Sequence, residues 1–116
     1  PCTSLGTLRR NPDLKWRVVE SDLERLSALQ LELLRAASGL LAEGGRLVYA
    51  TCSTEPEEND RVIERFLSES TGFALVDAVT SLPETARHLV GECGFFRTFP
   101  ERDDMDAYFA AILTRA

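Results

Sequence analysis

Three cysteines and a single histidine are the side chains of this 116-residue chain best suited to covalent chemistry, and one of them is well placed for it. Thr51-Cys52-Ser53 lies between a β-prone run and a helix start. The carboxyl end of a strand in an open α/β sheet is where ligands bind. A thiol close to a helix N-terminus also feels the partial positive charge of the free amides, which lowers its pKa and favours thiolate. Cys52 is therefore placed as a nucleophile would be, although a small residue buried at a strand end carries the same signature. Cys2, in Pro1-Cys2-Thr3, precedes a basic loop and by itself reads as structural. Cys93, in Gly91-Glu92-Cys93-Gly94, has no basic neighbour or helix start to activate it, and His88 beside Arg87 reads as a solvated or partly packed ring. The spacing of Cys2, Cys52, Cys93 and His88 matches no zinc pattern.

The elements that must position these residues alternate in type. Residues 1–20 read as a loop, punctuated by Gly6, Pro12 and Asp13. This loop sets Arg9, Arg10, Lys15 and Arg17 against Asp13 and Glu20, a local excess of two positive charges and the natural place for an anion to touch. Trp16, between Lys15 and Arg17, can stack a base or cap the core beside the first helix, and the usual burial of tryptophan favours the cap. Residues 21–43 read as a helix. Ser21 and Glu24 form a capping box, Leu23, Leu26, Leu33, Ala37, Leu40 and Leu41 recur near the helical period, and Gly44-Gly45 end it. Arg46–Ala50 is a short buried strand. Thr54-Glu55-Pro56-Glu57 opens a second helix that runs from about Glu55 to Ser68, with Val62, Ile63, Phe66 and Leu67 as its apolar stripe. Phe73–Val79 reads as a strand, residues 80–94 as irregular, Gly94–Phe99 as a short strand, Pro100–Asp104 as a charged turn and Ala107–Leu113 as a final strand. Helices alternating with strands imply an α/β layered fold, and the last two strands an antiparallel hairpin at the sheet edge.

Composition narrows the function classes. The net charge is -6 and the isoelectric point about 4.8, which argues against a generic polyanion binder. No apolar run approaches the roughly 18 residues of a membrane span. An odd cysteine count without a CxxC pair argues against a disulfide framework and fits a reducing cytoplasm. The chain starts at Pro1 without an initiator methionine, which predicts a piece of a longer protein.

At this point the residues carry a family. Pro1-Cys2-Thr3-Ser4-Leu5-Gly6-Thr7-Leu8-Arg9-Arg10-Asn11-Pro12-Asp13-Leu14-Lys15-Trp16-Arg17 resembles the Pro-Cys motif and following loop of the Sun/Fmu-type RNA cytosine-5 methyltransferases. Leu29-Gln30 through Leu34, then Gly44 to Ser53 and Glu57-Glu58-Asn59, resemble that family's Thr-Cys motif in its setting, and Asp106-Ala107-Tyr108-Phe109 its closing Asp-Gly-Phe-Phe strand. The resemblance implies residues 1–116 as the C-terminal part of a catalytic domain: a partial Rossmann-like methyltransferase sheet with an antiparallel edge hairpin. It implies S-adenosylmethionine as cofactor, RNA, and rRNA in particular, as partner, and a cytoplasmic enzyme. Carried over, Cys52 attacks carbon 6 of a flipped cytosine and Cys2 assists product release, while Arg9, Arg10 and Lys15 hold RNA phosphates. Thr3-Ser4 stands where Ser-Gly is commoner, and Ala107 replaces a glycine. The family's glycine-rich cofactor loop has no counterpart here, so the expectation is an inactive fragment whose cofactor site lies mostly elsewhere. A sheet truncated in this way would expose the Arg46–Ala50 edge, and the expected consequence is self-association through it or disorder of residues 1–20. Two other readings compete: a non-catalytic RNA-binding or interaction module that kept the fold, and a thiol redox protein using Cys2 and Cys52. Sulfurs opening onto one cleft favour the enzyme, and sulfurs on opposite faces exclude it.

Overall fold

In the computed structural model, which describes all 116 residues, the last strand of the chain lies inside the sheet. This strand, β4 (Phe109–Arg115), is antiparallel to everything it touches. On one side it pairs with β1 (Arg46–Thr51), from Arg46↔Thr114 to Thr51↔Phe109. On the other it pairs first with β2 (Phe73–Val76), Phe73↔Arg115 to Val76↔Ile112, and then with β3 (Phe96–Arg97), Phe96↔Ala110 and Arg97↔Phe109. Because β1 and β2 both oppose β4, they run parallel to one another. The helix between them, α3 (Asp60–Glu69), is their crossover. The result is a βαβ unit with an antiparallel strand inserted, in keeping with a partial Rossmann-like sheet. The hairpin is present as well: β3 is its short outer arm and β4 its long inner one.

A strand with neighbours on both sides must be apolar along its length, and Phe109, Ala111, Ile112 and Leu113 of β4 are all buried. Their odd-numbered members face a helical layer. Leu31 and Leu34 of α2 (Glu20–Gly39) join Val62, Ile63 and Phe66 of α3 over Phe109, Ala111 and Leu113. Aromatic edges close the contacts, with Phe95 5.1 Å and Tyr49 6.3 Å from Phe109 between ring centroids. The opposite face of β1 is open, and Val48 is 58% exposed. The outer edge of β1 has no strand partner. No helix is long and apolar enough to cross a membrane.

Several element boundaries differ from expectation. Helix α2 begins at Glu20 because the Asp22 carboxylate accepts from the Val19 amide at 3.0 Å, so Ser21 and Glu24 do not form the cap. The same helix ends at Gly39, where glycine is a poor helix residue. Gly44, at φ 73°, instead turns the chain into the sheet and donates to the Arg115 carbonyl at 2.8 Å. The second helix is broken. A 3-10 turn spans Pro56–Glu58, Asn59 is irregular (φ −117°, ψ −101°), and α3 starts only at Asp60. Ser53, rather than Thr54, accepts from the Glu55 amide, at 3.1 Å. Strand β2 stops at Val76, since the Asp77 carboxylate takes the Val79 amide (3.0 Å) and makes a 3-10 turn of Ala78–Thr80. Strand β3 shrinks to two residues, and the charged turn after it is one turn of helix, α4 (Pro100–Asp103). Residues 1–20 are folded rather than disordered. They hold a 3-10 turn at Leu5–Thr7 and the short helix α1 (Leu14–Arg17).

Candidate active site

The site is made where the N-terminal loop crosses the ends of β1 and β4. Gly6 donates to the Cys52 carbonyl at 2.9 Å and accepts from the Ala107 amide at 2.8 Å. A Cβ on Gly6 would stand 2.2 Å from the Ala107 carbonyl oxygen and 2.7 Å from that of Cys52, so no larger residue fits this slot without moving backbone. The crossing brings together the two cysteines that the sequence separates by fifty positions. Their sulfurs are 3.2 Å apart. Both are free thiols and both are half-buried. They face one open cleft of about 500 Å³, lined also by Pro1, Ser4, Ala50, Thr51 and Tyr108. Ser4 sits in the left-handed region at φ 61°, where only its short polar side chain makes a non-glycine residue tolerable. Its hydroxyl lies 3.5 Å from the Cys52 sulfur and 3.8 Å from that of Cys2.

The electrostatics of Cys52 are opposite to the sequence expectation. Burial pushes its thiol up from the ordinary value, the neighbouring Cys2 adds to that, and the Ser4 hydroxyl works against it. No activating helix turn follows directly, since α3 begins only at Asp60. Burial likewise raises the phenol of Tyr49 well above its usual range, and its hydroxyl donates to the Glu58 carbonyl.

Behind the cleft lies a group that sequence reasoning carried only as part of a motif. Glu58 is completely buried. Its carboxyl accepts from the Thr3 amide (2.8 Å), the Thr3 hydroxyl (2.7 Å), the Gln30 amide (3.1 Å) and the Ser53 hydroxyl. Asn59 beside it accepts from the Thr51 hydroxyl and donates to the Ser53 carbonyl at 2.8 Å. The only sequence signal for it was its place in Glu57-Glu58-Asn59.

The basic loop is less free than its composition implied. Arg9 donates to Asp106 at 3.0 Å and to Asp104 at 3.1 Å, and Arg10 also grips Asp106. Burial alone would raise the Asp106 pKa, but the two guanidinium groups outweigh it and hold that carboxyl below its usual range. Arg17 pairs with Asp13 at 3.1 Å. Lys15 is the one loop cation without a carboxylate partner, and its ammonium lies 5.3 Å from the Trp16 ring centroid. Trp16 itself is 82% exposed, so it does not cap the core. Cys93 and His88 are both exposed, and neither lines the cleft.

Comparison with known proteins places this geometry in company. A family model described as 16S rRNA methyltransferase RsmB/F matches residues 1–114. A probable ribosomal RNA small subunit methyltransferase B of Synechocystis sp. is 38% identical over 116 residues, which is 100% of this chain and 26% of that protein. A ribosomal RNA small subunit methyltransferase B of Pectobacterium atrosepticum is 40% identical over 115 residues, 99% of this chain and 24% of its own. The crystal structure of NSun6 from Pyrococcus horikoshii with SFG superposes with a TM-score of 0.78 at 25% identity, covering 99% of this chain and 28% of that one. The chain thus spans about a quarter of the length of the curated relatives it matches.

A raised thiol pKa has a direct readout. Alkylation of Cys52 by iodoacetamide, followed by peptide mass spectrometry, should keep accelerating above pH ~8.5, the midpoint of an ordinary thiol. Ser4→Gly, which suits the local φ, should move that profile further up. A plateau near neutral pH would show Cys52 to be an activated thiolate in the free protein.

Proposed function

The chain belongs to the RsmB/F family of 16S rRNA methyltransferases, and from that premise we propose that it is the thiol-bearing, C-terminal part of the catalytic domain of an S-adenosylmethionine-dependent RNA cytosine-5 methyltransferase, a cytoplasmic enzyme acting on rRNA. The observation that supports this most is the pair of free sulfurs 3.2 Å apart on one open cleft. An arrangement with the thiols on opposite faces could not have served one pyrimidine ring.

The chemistry asks for this arrangement. Carbon 5 of cytosine is a weak nucleophile. Addition of the Cys52 thiolate to carbon 6 makes a carbon–sulfur bond and shifts the ring electrons to carbon 5, which then takes the methyl group. Loss of the carbon 5 proton to a base restores the double bond and expels Cys52. Splitting the reaction in this way replaces one hard step by easier ones. Cys2, in contact with the Cys52 sulfur, is placed to assist that release. The base must be unpaired or flipped out to enter the cleft. S-adenosylmethionine supplies the methyl group in the parent enzyme. The lining of the cleft has no acidic side chain and no glycine, so this chain does not hold the cofactor by itself and contributes the acceptor side. Lys15, with Arg9 and Arg10 at the part of their charge that Asp106 leaves free, is the phosphate-facing edge of the site.

Trapping experiments decide the roles. With the parent enzyme and an RNA carrying 5-fluorocytosine, whose carbon 5 cannot lose a proton, Cys52→Ala should abolish the covalent adduct. With ordinary RNA, Cys2→Ala should make an adduct accumulate, and the reverse pattern would exchange the two assignments. The 116-residue chain alone should transfer no labelled methyl, and turnover would sink the division of labour argued above. Lys15→Glu in the parent should weaken RNA binding and flatten its salt dependence by a slope of about 1, whereas unchanged affinity at low salt would remove Lys15 from the interface. We also propose that the isolated chain self-associates through the unpaired outer edge of β1. A sedimentation profile of monomer alone at tens of micromolar would refute it.

A further inference from the structure

We infer that Glu58 is a positioning residue that holds the Cys2 and Cys52 sulfurs within contact distance of one another. Its two oxygens take hydrogen bonds from Thr3, the residue after Cys2, and from Ser53, the residue after Cys52. One buried carboxyl therefore ties together the two loop segments that carry the thiols. Gln30 of α2 adds a third strut, donating to Glu58 at 3.1 Å and to the Pro1 carbonyl, on the far side of Cys2, at 2.8 Å. On the other side the Gly6–Cys52 backbone bond provides a second pin. The sulfurs lie between these two pins. Removing Glu58 leaves the Cys2 segment held only by the Gln30 bond to the Pro1 carbonyl and by Gly6, four residues away, with nothing tying it directly to Ser53.

The arrangement costs stability in any role that is only structural. Glu58 takes part in no salt bridge, and a buried carboxyl without a cation is tolerated only when hydrogen bonds replace its water. A leucine of similar size would fill the same space without that demand. Only an acceptor with two oxygens can take amide and hydroxyl donors from both segments at once. The inference rests on this geometry and not on the methylation reading, so the two stand or fall separately.

The test reads the proximity of the thiols in the intact chain, in a Cys93→Ser background so that only one pair is present. In glutathione buffers the two thiols give up two protons and two electrons to glutathione disulfide, closing a Cys2–Cys52 disulfide and releasing two glutathione thiols. The equilibrium constant is the effective concentration of one sulfur at the other. Glu58→Gln places an amide donor against donors and should lower that constant at least tenfold. Thr3→Val and Ser53→Ala, which each cut one side of the clamp, should lower it by smaller factors. Leu113→Ala weakens the core without touching the clamp and should leave it unchanged. An unaltered constant in Glu58→Gln overturns the inference, as does an equal drop in Leu113→Ala. If Glu58→Gln fails to fold, the half-clamp variants decide, and two unaltered constants there overturn it. No RNA or cofactor enters the measurement.

Discussion

The rest of this structure depends on a crossing: a loop with almost no regular structure must run through the gap between the ends of β1 and β4. Gly6 is what makes the crossing possible, because its missing side chain lets three backbones meet, those of Gly6, Cys52 and Ala107. The main hydrophobic cluster lies elsewhere, under α2 and α3, and takes no residue from the loop. The fold and the site are thus held by different forces. Apolar burial builds the sheet and its helical layer. Directed polar contacts then fasten the N-terminal segment at its rim. The two segments that carry the thiols are tied together through the second set.

Those polar contacts come in two groups with different consequences. Asp106 is gripped by Arg9 and Arg10 at the solvent boundary, where both arginines keep much of their surface exposed. Salt screens such pairs and bound phosphate competes for the same guanidinium groups. Glu58 is sealed from water and takes neutral donors only. Its bonds are insensitive to ionic strength and strict in geometry. The loop is therefore adjustable at its basic end and fixed at its thiol end.

The sequence disclosed the order and type of the elements, because apolar periodicity records which faces meet a core. Motifs in their settings singled out Cys52 and Cys2, and the fold brings their sulfurs together. What it did not disclose was every feature decided by a distant partner. Ser21 and Thr54 had the pattern of helix caps, but Asp22 reaches back to Val19, and Glu58 is drawn inward where the second helix would have continued. Arg9 and Arg10 read as free charge because their partner, Asp106, is almost a hundred residues away. Trp16 read as a core cap from its average behaviour, yet the short helix that carries it points it outward. Strand ends moved by one to three residues where a partner intervened, as where Asp77 turns the chain out of β2 or where pairing with β4 limits β3 to two residues.

The expected acidity of Cys52 failed for the most instructive reason, and the failure sharpens the chemical argument. A desolvated sulfur beside a second thiol resists ionisation, because the charge would be poorly hydrated and would face a neighbour whose own ionisation it opposes. Burial therefore favours the neutral thiol at Cys52. Intrinsic nucleophilicity rises with thiol pKa, so the thiolate that does form is the more reactive for having been hard to make. Burial does most to raise that pKa, and the same fold sets a second thiol 3.2 Å from the Cys52 sulfur. On the reading proposed above, in which one sulfur adds and the other helps it leave, a desolvated thiol with a second thiol in contact serves better than two independent, acidic ones.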